Sequence, residues 1–274
     1  MMFEDIEILM IAPVIVKWVI WISAVVTSGG MLATVMFNLP SLRRLQVVFA
    51  IIGASGCILS FGVAGAVLMG TWDGILMPGI AAMLWGGGSG AWLTATALVF
   101  LTGLHVSGTA WVNLLKAMLL LFCLTVLSHL SGPMKALLFI HLFVAVTWAG
   151  VVLPFWLCDG AEQLRHSATL FGRWAPVILG VLAVCGGGLV LLKTQGDVFL
   201  LLQSDWGWAL LAKLGFVGTA ALIGLCNKVK IVPNLQDEQE GEFRVFRRLI
   251  QIDILVFMAI ILVSAWLSSG ATLG

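Results

Sequence analysis

The stretch HLFVAVTWAGVVLPFW, residues 141–156, carries a single titratable side chain, His141, in an otherwise apolar run. Extended to 134–157, the run reaches the length of about 20 residues that a helix needs to cross a hydrocarbon core about 30 Å thick. It predicts a transmembrane helix. A histidine inside such a helix is either hydrogen-bonded to a neighbouring helix or a ligand.

The rest of the chain has the same character. Of 274 residues, 61% are hydrophobic and 10% charged, with a mean hydropathy of +1.12. Soluble domains carry roughly 25% charged residues, so this chain lacks the polar side chains to coat a water-facing surface. Its apolar runs are of helical length, not the alternating ~10-residue segments of an outer-membrane barrel. The expected fold is an all-α polytopic integral membrane protein, a single helical domain over 1–274 with membrane lipid as its surroundings. A net charge of +1 gives no footing for nucleic acid. Cys57, Cys123, Cys158, Cys185 and Cys226 are scattered without a CxxC pair, and an odd count argues against a disulfide framework; they read as small packing residues. The acidic start MMFEDIEILM lacks the basic n-region of a cleaved signal peptide, so the apolar run from about Pro13 to Phe37 is expected to be a retained first span.

Eight helices are expected, near 12–37, 45–70, 88–105, 109–128, 134–157, 170–193, 206–226 and 246–268. The stretch GILMPGIAAMLWGGG (74–88) before the third is apolar but broken by Pro78 and glycines, as a re-entrant or interfacial segment would be. GGGSG (86–90) is no phosphate cradle, because no strand precedes it and no Lys-Ser/Thr follows. Arg43, Arg44, Arg165, Lys228, Lys230, Arg244, Arg247 and Arg248 fall in alternate loops, with Arg173 just inside the sixth span. The positive-inside rule then places both termini on the periplasmic side.

This orientation assigns depths. His141 lies about 10 Å below the outer surface, His129 ends the fourth span on that same face, and Lys213 is seven residues into the seventh span from outside. Asp253 is seven residues into the eighth span from the cytoplasmic side. Its short stem cannot reach the interface, so it should face a partner or water inside the bundle. An Asp253–Lys213 ion pair is not expected, because their depths differ by about 10 Å. Lys17 and Lys116, near helix ends, are expected to snorkel. His129 and His141 sit on helices joined by a short turn and can converge on one outward-facing metal site. Trp148 closes the His141 face below, and Ala145 and Ala149 allow close helix approach. Met69, Met77 and Met83 near the outer face are weaker metal candidates, since no MxxM or MxM pattern accompanies them.

SHLSGPMKALLFIHLFVAVTWAGVVLPF (128–155), LFGRWAPVILGVLAVCGGGLVLL (170–192), SDWGWALLAKLGFVGTAALIGLCNKVKIVP (204–233) and RRLIQIDILVFMAIILVSAWLSS (247–269) together resemble the CopD family of bacterial inner-membrane copper proteins. The matching positions are His129, His141, Trp148, Gly150, Gly207, Leu210, Lys213, Asn227 and Pro233. The likeness covers about 128–268 and is weaker before that. Ser128, Val151, Lys228 and Asp253 depart from the family pattern, and Asp253 stands one methylene shorter than its usual Glu. No copper-chaperone domain is fused to it. The resemblance implies a non-enzymatic role in moving copper across the inner membrane, inward, alongside a separate periplasmic CopC-type protein. It points to His129 and His141 as the entry site, with Asp253, Lys213, Asn227 and Trp148 in the interior of the path. The alternative is a b-type haem oxidoreductase, with the same histidines holding haem b.

Overall fold

The computed structural model describes residues 2–105, 108–128, 130–197, 199–235 and 240–269, and among these there is no strand. The chain runs as α1 (Met2–Ala24), α2 (Gly30–Phe37), α3 (Arg43–Met69), α4 (Pro78–Gly86), α5 (Ser89–Thr102), α6 (Ala110–Val126), α7 (Pro133–Gly150), α8 (Val152–Trp156), α9 (Ala161–Lys193), α10 (Leu200–Gln203), α11 (Asp205–Cys226) and α12 (Glu240–Ser269). Helices α1 and α2 are joined by a π-helical turn, Val25–Gly29, and a second π-turn, Asn227–Ile231, prolongs α11.

Six spans are long and apolar enough to cross a membrane, and they fall where six of the eight expected helices lie. The protein is an all-α, multi-pass membrane protein. The third and fourth expected spans are shorter than anticipated. Helix α5 has 14 residues and meets α4 at an 83° bend, while α6 has 17 residues. Gly88, with φ +83°, sits in the break, where a left-handed residue favours glycine. The segment before the third span is thus a short helix turned sharply against its successor.

Two apolar cores share α7. One is built from α1, α3, α5 and α6 and takes Val146; the other joins α7, α8, α9, α11 and α12 and takes Trp148. The halves meet where the Val25–Gly29 π-turn crosses α7. A Cβ placed on Gly29 would lie 2.7 Å from Gly150 Cα, so the two backbones touch at that point. Only glycine at both positions permits this approach, as at small-residue crossings in membranes generally. The π-turn inserts an extra residue into its helical ring and so re-aims Gly29. It also leaves the buried Thr27 and Ser28 hydroxyls without partners among the described residues.

One end of the bundle is tied by polar contacts between loops. Arg247 pairs with Asp159 at 2.7 Å and donates to the Cys158 carbonyl at 3.3 Å; Gln163 donates to the Asn38 carbonyl at 3.2 Å. These join the 1–2 and 5–6 loops to the start of α12, three regions expected on one face from their arginines. Lys17 and Lys116 both reach helix ends. Lys17 Nζ donates to the Ser268 carbonyl at 3.0 Å, and Lys116 Nζ to the His105 and Thr102 carbonyls at 2.6 and 3.2 Å. A cation at a helix C-terminus meets unpaired carbonyls and the negative end of the dipole.

Gly150→Ala should lower stability by about 1–3 kcal/mol, the usual cost of overpacking. Gly180→Ala, where an added Cβ meets nothing within 4 Å, should not. Thermal unfolding of the two purified variants in detergent checks this pair.

Candidate metal site and inner cavity

His141 projects from α7 toward α9, not toward its own sequence neighbour α6. A Cβ added to Gly186 would lie 3.3 Å from the imidazole Cε1 and 3.6 Å from Nδ1. Gly186 therefore makes room for the ring, and Leu137 on the preceding turn of α7 fills the space beside Gly188 in the same way. The Leu182 backbone and Lys213 on α11 are the polar groups acting on the imidazole. Neither satisfies Nδ1, which is buried without a hydrogen-bond partner among the described residues. His141, Gly186 and Lys213 each lie seven or eight residues from the outer end of their helices, so their depths match at ~1.5 Å per residue.

His129 lies outside the described residues. Met69, Met77 and Met83 are exposed, at 42%, 39% and 55%. Met77 and Met83 lie at the start of α4 and within it, and α4 packs chiefly on α3 and α5. Among the described residues no group of three or more His, Cys, Asp or Glu side chains gathers at one point. All five cysteines are free, four of them buried.

Two turns inward from His141, Trp148 is buried and meets Phe257 of α12 edge-on, with ring centroids 5.3 Å apart. Trp148 also forms part of the wall of a cavity of about 140 Å³. The cavity exists because the facing helices withhold side chains. Helix α9 offers Gly172, Ala175 and Pro176, and α11 offers Ala221 and Gly224, spaced so that each set shares one helical face. Pro176 removes a backbone donor within α9.

Three of the four residues expected in the interior converge on this cavity. Trp148, Asn227 and Asp253 line it; Lys213 instead belongs to the His141 level. Asn227 is 7% exposed and Asp253 5%, and the Oδ1 atom of each is buried without a partner. As expected from their depths, Asp253 and Lys213 form no ion pair in the structure. Lys228 runs along the cavity wall with its stem carbons 3.6 Å from a Cβ position at Gly172.

The sequence reading missed the pairing of His141 with α9. Its signal was present: three consecutive glycines at the same depth as the histidine, on a helix that needs no glycine for its own geometry. It also missed that Asn227 opens a π-turn, which no local pattern announces.

Residues 165–267, covering nearly all of α9 and the whole of α11, match the family CopD, Copper resistance protein D. Over those residues the chain is similar to that family. The match holds the inner-cavity residues of α9, α11 and α12, and the family description supports a copper-related role. No curated protein and no solved structure matches the chain.

Asp253→Asn should leave the thermal midpoint of the purified protein unchanged or raise it by a few degrees. A carboxylate that anchored the fold through a buried ion pair would instead lose about 3–5 kcal/mol.

Proposed function

We propose that the protein moves copper across the bacterial inner membrane, from the periplasm to the cytoplasm, by way of a site at its outer end that includes His141. The single observation behind this is the buried, unpartnered Nδ1 of His141 in a chain similar to the CopD family over residues 165–267. Leaving a buried polar atom unpaired costs about 1–3 kcal/mol, and in the tautomer that protonates Nε2 the Nδ1 lone pair is available to a metal ion. Imidazole is a common copper ligand, and a site of few ligands suits passage rather than storage.

Lys213 explains how such a site releases its ion. An ammonium beside the imidazole repels a bound cation and keeps the affinity moderate, as conduction requires. His129, which follows α6 in sequence, is the proposed second ligand, and a periplasmic CopC-type protein the proposed donor. Both termini lie on the periplasmic side in this reading, which rests on the arginine-bearing loops tied together at one end of the bundle. Trp148 and the polar residues below it form the continuation of the path toward the cytoplasm.

Copper accumulation in proteoliposomes tests the reading. His141→Ala and His129→Ala should each reduce uptake at least tenfold; unchanged uptake in both would remove the site. A Soret band in the purified protein that shifts on reduction would assign the histidines to haem instead.

Lys213→Met should tighten copper binding on the order of tenfold, because a unit charge within electrostatic reach of the imidazole is worth about 1 kcal/mol in a half-buried setting. Titration of the purified protein with copper, against the wild type, reads this out. Weakened binding would mean that Lys213 holds the site together rather than loosening it.

A further inference from the structure

The cavity below Trp148 differs in chemistry from the His141 level. Its volume, about 140 Å³, is close to the roughly 150 Å³ that accepts a benzene-sized guest in a protein interior. Much of its wall is aromatic, from Trp148, Phe155, Phe171 and Phe246. Set into that wall are two residues whose acceptor oxygens have no donor, Asp253 and Asn227, each more than nine-tenths buried. One orphaned acceptor is costly and a charged one more so; two on the same cavity call for a guest that supplies positive charge.

The wall does not supply it. Lys228 is the one basic residue lining the cavity, and its stem lies along Gly172 while Asp253 stays unpaired. No titratable group of α7, α8 or α9 lines the space. On α12 itself the nearest charges are Arg247 and Arg248, more than a turn closer to the cytoplasmic end, and Arg247 is engaged with Asp159.

Charge and donor type then define the guest. A single carboxylate neutralises one positive charge, and a divalent ion would stay half-compensated in a low-dielectric wall that also carries Lys228. Carboxylate and amide oxygens are hard donors, and the lining contains no sulfur and no imidazole, the donors that favour copper. The π-turn beginning at Asn227 is an independent mark, since single π-turns within helices are frequent at functional sites.

We propose that this cavity is a second cation site, in which Asp253 and Asn227 hold a hard monovalent cation, sodium or a proton taken up on the Asp253 carboxylate. Asp253 then serves a coupling ion rather than copper. The site stands apart from the copper reading, since its residues and its guest are different.

Two measurements on the purified full chain test it, and distinguish the two cations. Equilibrium binding of radiolabelled sodium should saturate near one ion per chain, fall at least tenfold in Asp253→Asn, weaken in Asn227→Leu, and persist in His141→Ala. If the guest is a proton, sodium does not bind, and the infrared spectrum shows a carboxylic-acid carbonyl band that Asp253→Asn removes. Asn227→Asp, which adds a second carboxylate of nearly the same shape, should raise affinity for calcium in either case. Absence of both the sodium binding and the infrared band overturns the proposal. So does sodium binding that Asp253→Asn leaves intact in a protein whose thermal midpoint is unchanged. Failure of copper uptake in His141→Ala with sodium binding retained would separate the two sites.

Discussion

The contact of Gly29 with Gly150 is the constraint on which the other features depend. At a 2.7 Å approach between a Cβ position and a backbone atom, no side chain fits between the Val25–Gly29 turn and α7, so the two are locked in register and angle. Lipid tails are as apolar as the helices, so membrane helices gain little from apolar burial alone and rely on close packing of this kind. The crossing brings the first half of the chain against α7 near its C-terminal end. It thereby sets which face of α7 is left for α9, α11 and α12. The π-turn at Val25–Gly29 is part of the same device: it costs two unpaired hydroxyls, Thr27 and Ser28, and in exchange it turns Gly29 toward Gly150.

With α7 fixed, the remaining helices divide the polar residues between two levels. At one level, His141 stands against Gly186 of α9 with Lys213 within electrostatic reach. At the other, Asp253 and Asn227 border a cavity that small residues on α9 and α11 leave open. Trp148 belongs to α7 two turns below His141 and reaches the cavity wall, where its edge-on contact with Phe257 ties α7 to α12. The levels carry different donors: imidazole above, carboxylate and amide oxygen below.

Much of this was legible in the sequence because the bilayer imposes strict rules. Length and apolarity located six full spans, and the cost of an ionisable group at depth singled out Asp253, which is buried as expected. Depth arithmetic also separated Asp253 from Lys213. The break before the third span was legible from Pro78 and the glycines of GILMPGIAAMLWGGG, but not its 83° angle, and α5 and α6 are shorter than the spans expected at 88–105 and 109–128. Helix-to-helix partners were the other gap. Sequence adjacency suggested that His141 would face α6, whereas the room for its ring is on α9, because Gly186 leaves space that the residues of α6 do not. A contact of that kind depends on how α7 is rotated about its axis, and the Gly29–Gly150 crossing fixes that rotation from more than a hundred residues away.

The account turns on His141 as a copper ligand, and X-ray absorption at the copper edge, recorded on copper-loaded purified protein, tests this most directly. The predicted spectrum has a nitrogen and oxygen shell with the outer-shell scattering of imidazole, and it loses that scattering in His141→Ala. A sulfur-dominated shell, or a spectrum the same in wild type and His141→Ala, would contradict it.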